Sequence, residues 1–154
     1  MKKIFALILL AAISAFAQAK TPCANRVCEE FYQLALVTNF STSMQASLLN
    51  EKAFQAEAST GGESAAAVYA DGMRNVVKEA KEKVSPKYQA ALKSAASNKE
   101  VTVALKELYT KWLSGMTYYQ NGYTESIRAK EKQYKQIKNS IDDAWARVLT
   151  EAGI

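Results

Sequence analysis

The chain contains no histidine, and with it go the commonest general base near neutral pH and the commonest side-chain metal ligand. Its two cysteines could supply only half of a structural zinc site, and two carboxylates would have to complete the set. No G-x-S-x-G elbow occurs, and no motif sets a nucleophile beside an activating base. Neither metal, cofactor nor familiar nucleophilic catalysis is expected. Only Pro22 and Pro86 interrupt a sequence rich in Ala, Lys, Glu and Leu, without repeat, long linker or low-complexity tract. That composition predicts an all-α protein.

What is present begins with a secretory signature. Lys2 and Lys3 precede an apolar run from Ile4 to Phe16, and Ala17-Gln18-Ala19 offers small residues at −3 and −1 of a cleavage point. The run is shorter than the roughly 20 residues of a spanning helix. Residues 1–19 are therefore expected to be a cleavable signal peptide, with no stable membrane insertion afterwards. Residues 20–154 then form one helical domain, periplasmic in a Gram-negative cell and otherwise extracellular. Removing Lys2 and Lys3 lowers the formal net charge from +5 to +3. This excess is too small for a nucleic-acid footprint, but it suits an acidic protein partner.

An oxidising destination makes Cys23 and Cys28 an expected disulfide. Residues five apart within an α-helix have Cα atoms about 8–9 Å apart, beyond the roughly 7 Å a disulfide tolerates. Cys23 must then precede the helix that holds Cys28, with Asn25 as a suitable N-cap. A redox role fits poorly, because the spacing is not C-x-x-C.

Apolar periodicity divides the domain. A first helix is expected from about Asn25 to Ala58. It carries one stripe through Val27, Cys28, Phe31, Leu34 and Ala35, and a second, rotated stripe through Val37, Phe40, Met44 and Leu48. Such a helix either touches neighbours on two sides or bends, and the weak run Thr38–Ser43 favours a bend. Thr60 with Glu63 resembles a capping box for the second helix, which carries Tyr69, Met73, Val76, Val77, Ala80 and Val84. Ser85-Pro86 would open a short helix ending near Ala96. Ser97 to Glu100 resembles another capping box, ahead of a helix through Val101, Leu105, Leu108, Trp112, Met116 and Tyr119. Asn121-Gly122 would stop it. The last helix carries Ile127, Tyr134, Ile137, Ile141, Ala144, Trp145, Val148 and Leu149. The expected fold is an antiparallel bundle of four principal helices and one short one, with Met44, Met73 and Met116 at core phase.

The most unusual local composition is Thr117-Tyr118-Tyr119-Gln120-Asn121-Gly122-Tyr123, followed by Arg128, Lys130, Lys132, Lys135 and Lys138. Tyr and Arg are enriched at binding surfaces. Candidate binding residues are therefore Tyr118, Tyr119, Tyr123, Arg128, Lys132 and Lys135, of which Tyr119 and Tyr123 share the phase of the core stripe. Between Thr124 and Gln136 the last helix has few large apolar residues, and Lys130 and Lys138 fall on its expected inner face. This half is either less buried or packed against something outside the chain. Gly115, inside a helix, points to close approach of the last helix. Asp142 and Asp143 point about 100° apart and belong on a solvated face.

The function expected from these features is a non-catalytic exported protein that binds another envelope or extracellular protein, of immunity or inhibitor type. An ATP-independent periplasmic chaperone and a histidine-independent enzyme are the alternatives.

Overall fold

The computed structural model describes residues 26–60, 64–123 and 127–154, and the regular structure among them is entirely helical. Four helices follow one another: α1 (Arg26–Thr60), α2 (Ala65–Ser94), α3 (Lys99–Asn121) and α4 (Ile127–Ala152). Side-chain contacts fix their directions. Phe31 of α1 meets Tyr88 of α2 with ring centroids 5.5 Å apart, whereas Leu49 lies against Gly72. Tyr69 of α2 bonds to Tyr119 of α3, and Ser85 to Tyr109. Gly115 of α3 faces Ile137 of α4, and Glu107 pairs with Arg147. Tyr32 of α1 stacks on Trp145 of α4, and Phe40 meets Tyr134. Every sequence neighbour is thus antiparallel, and α4 returns beside α1. The result is an up-down-up-down bundle in which α1 also touches α3 across the diagonal.

The core follows the predicted stripes of α2, α3 and α4. Tyr69, Met73, Val77, Val84, Leu105, Leu108, Trp112, Met116, Tyr119, Ile141 and Val148 are buried. Each large apolar side chain so enclosed contributes about 1.5–3 kcal/mol relative to exposure. Tyr88 and Tyr109 stack at 3.9 Å between centroids, and Tyr109 continues onto Trp112 at 5.7 Å, joining α2 to α3 through the middle of the bundle.

Local signals were less exact guides than the stripes. No helix break occurs at Pro86: α2 runs through it, because Val77, Ala80, Val84, Tyr88 and Ala91 keep one buried face on both sides of an exposed proline. The expected short helix is therefore the second half of α2. Thr60 still belongs to α1, and α2 is capped instead by Ser64, whose hydroxyl accepts from the Ala67 N–H. Glu63 lies outside the described residues, as do the proposed signal peptide, Cys23, Asn25 and Thr124. At α3 the cap is Asn98 rather than Ser97, with its Oδ1 accepting from Val101 N–H at 3.0 Å. Gly122 ends α3 as the sequence suggests.

Candidate functional site

Halfway along α1 the usual polarity of a bundle helix inverts. Its buried positions are first Cys28, Phe31 and Ala35, then Thr38, Asn39, Thr42, Ala46 and Ala53, so small and polar side chains face inward. Val37, Phe40, Met44, Leu48 and Phe54 face out, each more than half exposed. Apart from Phe40, which meets Tyr134 of α4, the second stripe stands out to solvent without breaking α1, and Met44 is not a core residue. Gly72 of α2 makes room for Leu49 of α1, since a Cβ there would stand 2.9 Å from Leu49 Cδ2.

The inward polar groups of α1 serve the core aromatics. Thr38 Oγ1 donates to main-chain carbonyls of its own helix and accepts from Trp112 Nε1 at 3.1 Å. Asn39 Oδ1 accepts from the Tyr119 hydroxyl at 3.0 Å. The low-propensity run read as a bend is thus the polar seat of Trp112 and Tyr119. A buried indole N–H or phenol O–H left without an acceptor would cost about 1–3 kcal/mol.

Between the outward half of α1 and the first half of α4 lies a groove of about 520 Å³. Phe40, Leu48, Phe54 and Tyr134 form its apolar walls, with Ser43, Ser47 and Asn50 between them. Phe40 and Tyr134 meet edge to face at 6.1 Å. Lys130, Glu51 and Glu131 complete the lining.

Lys130 is 6% exposed. Its ammonium donates to the Tyr69 hydroxyl at 2.9 Å and to the Gly122 carbonyl, and stands 4.3 Å from the centroid of the Tyr69 ring. Tyr69 in turn donates to the Tyr119 carbonyl at 2.6 Å. A lysine from α4 and a tyrosine from α2 thereby satisfy carbonyls at the end of α3, where the helix dipole also favours positive charge. Desolvation by burial lowers the Lys130 pKa to about 8 and raises those of Tyr69 and Tyr119.

The candidates chosen from sequence fall into different settings. Tyr119 is buried and Tyr123 packs against Tyr69 at 5.9 Å, so these rings build the bundle end. Tyr118 is 48% exposed. It shares its side of α3 with Lys111, seven residues earlier, on the flank turned to α4 and away from α1. Arg128, Lys132 and Lys135 are exposed on α4. Arg128 and Lys135 lie three residues before and four after Glu131, which places them along the groove rim. The groove residues Leu48, Phe54 and Tyr134 and the buried Lys130 were not among the candidates, although the second stripe on α1 and the inward phase of Lys130 both signalled them. Asp142 is no idle surface acid: it accepts from Tyr32 at 2.9 Å and from Lys138, tying α1 to α4. Cys28 is fully buried at the start of α1.

Among the described residues, no group of three or more His, Cys, Asp or Glu side chains could hold a metal ion, and no helix is long and apolar enough to cross a membrane. No protein-family model, curated protein or solved structure matches the chain.

Proposed function

We propose that the chain is an exported, non-catalytic binding protein whose partner is another protein of the envelope or extracellular space, in the manner of an inhibitor or immunity protein. The observation that carries this reading is the inversion of α1. Val37, Phe40, Met44 and Leu48 stand outward in helical register, with Phe54 exposed beyond them, while small and polar side chains occupy much of the inner face. Contiguous apolar surface of this kind marks interaction sites, and an amphipathic helix laid along such a stripe is a recurrent mode of recognition. Arg128, Lys132 and Lys135 on the adjoining face of α4 complement an acidic flank on the partner. Export rests on the charged and apolar pattern of residues 1–19, and a Cys23–Cys28 bridge would fix the mature N-terminus against α1. N-terminal sequencing of the natively produced protein should begin at Lys20.

A photo-crosslinking residue at Met44 or Leu48, with one at Lys93 as control, tests the surface in the native host. A single heterologous adduct of defined mass from the first two sites, absent from the third, is the expected result. Adducts of twice the chain's own mass would replace the partner by a second copy. A broad ladder of masses would favour the chaperone reading, which draws on the same exposed stripe. Absence of any adduct would remove the stripe from the function.

A further inference from the structure

The groove between α1 and α4, walled in part by Phe40, Leu48 and Phe54 of the exposed stripe, has a volume of about 520 Å³, within the roughly 300–1,000 Å³ of small-molecule sites. Its charged lining divides by depth. Glu51 and Glu131 are exposed, whereas Lys130 is buried. Water and salt screen the two carboxylates at the mouth but screen the enclosed ammonium far less. Among the described residues, Lys130 forms no ion pair, and both of its hydrogen bonds go to neutral oxygens. An ammonium has three N–H donors, so one has no partner among these residues. The end of α3 supplies only about half an elementary negative charge against it. Buried charges are normally paired, and among the described residues neither groove carboxylate, Glu51 or Glu131, forms an ion pair with Lys130.

We infer that the groove binds a single-chain amphiphile with an anionic head, its hydrocarbon tail between Phe40, Leu48, Phe54 and Tyr134 and its head on the ammonium of Lys130. A cationic head is repelled there, and a neutral head leaves the charge unmatched. Phe40, Leu48 and Phe54 also belong to the outer stripe, but Lys130 does not, so the head-group preference tests this site separately from the protein partner.

Sodium laurate and dodecyltrimethylammonium below their micellar concentrations, and dodecanol below its solubility limit, are the probes for calorimetric titration of the protein purified from its host. Laurate should bind at one site per chain, about tenfold or more tighter than dodecanol, the value of a charged hydrogen bond. The ammonium probe should not bind. Lys130→Met should abolish the preference for laurate over dodecanol. Since Lys130 also holds the end of α3, Ser47→Trp provides an independent variant. It fills the groove from an exposed position, leaves Lys130 untouched, and should abolish laurate binding without lowering the melting temperature. Equal affinity for laurate and dodecanol, no laurate binding, or wild-type binding by Ser47→Trp would each overturn the site. Co-sedimentation with phosphatidylglycerol vesicles in place of laurate binding would assign the surface to a bilayer and overturn it too.

Discussion

Lys130 gives up most of its hydration to hold the C-terminal end of α3, and burial brings its pKa down to about 8. In the unfolded chain the same group titrates near about 10.4. Between about pH 8 and pH 10 the unfolded chain therefore keeps a proton that the folded chain has released, so this residue makes stability rise with pH across that window. Tyr69 and Tyr119, raised by burial, act in the opposite direction, but only from about pH 10, where unfolded tyrosine begins to ionise. Denaturant titrations at pH 7.0 and 9.5, two conditions chosen about this window, should show wild type gaining on Lys130→Met at the higher pH. An unchanged difference would mean that Lys130 is not desolvated. Gly115 works by volume rather than charge. A Cβ there would stand 2.5 Å from Ile137 Cγ2, on a β-branched side chain with little freedom to move. Overpacking costs about 1–3 kcal/mol, more than the roughly 1 kcal/mol gained in helix propensity, so Gly115→Ala should destabilise. Adding Ile137→Ala should recover part of that loss, and strict additivity of the two changes would contradict the contact. The close approach at Gly115 was legible because glycine in a helix interior needs a reason. The burial of Lys130 was legible only as a gap in the apolar stripe, since a lysine at core phase does not announce which carbonyls it will meet.

Each helix is specified more firmly by its face than by its ends. The stripes of α2, α3 and α4 could be read in sequence because Tyr69 to Ala91, Val101 to Tyr119 and Ile141 to Ala152 keep helical spacing with large side chains. Pro86 and the two cap positions could mislead, because tertiary packing overrides a local stop signal and several adjacent hydroxyl or amide residues can each serve as a cap. Asn98 and Ser97 now separate cleanly. Asn98→Ala should cost about 0.5–2 kcal/mol by removing the acceptor of the Val101 N–H, while Ser97→Ala should leave the melting curve nearly unchanged. The reverse ranking would restore Ser97 as the cap. In α1 the difficulty was of another kind. Two apolar stripes compete there, and the larger side chains of the second, Phe40, Met44 and Leu48, outweigh Ala35 and Ala46 on any hydropathy scale. What turns the smaller face inward is not its apolar area. Thr38 and Asn39 accept from Trp112 and Tyr119, contacts that only the assembled partners make visible.

At the scale of the molecule, the core and the outward surface of α1 and α4 are separable, and this makes the binding proposal testable by kinetics. The bundle closes its core through Trp112, Tyr69 and Ile141 without using Val37, Met44 or Leu48. Changes on the stripe should therefore leave the melting temperature nearly intact, whereas Trp112→Ala should cost about 3–5 kcal/mol. For a partner with an acidic flank, the exposed cations act at long range and the apolar stripe acts only in contact. Arg128→Glu and Lys135→Glu should then slow association, most at low ionic strength, with little change in dissociation. Met44→Ser and Leu48→Ser should instead hasten dissociation, because the contacts they remove exist only in the complex. Tyr118, on the opposite flank of α4, should contribute less to either rate. Surface plasmon resonance at two salt concentrations, with the crosslinked partner as analyte, separates these effects. Should the charge reversals accelerate dissociation while the stripe variants bind as wild type does, the partner would sit on the basic face alone, and the inversion of α1 would need another explanation.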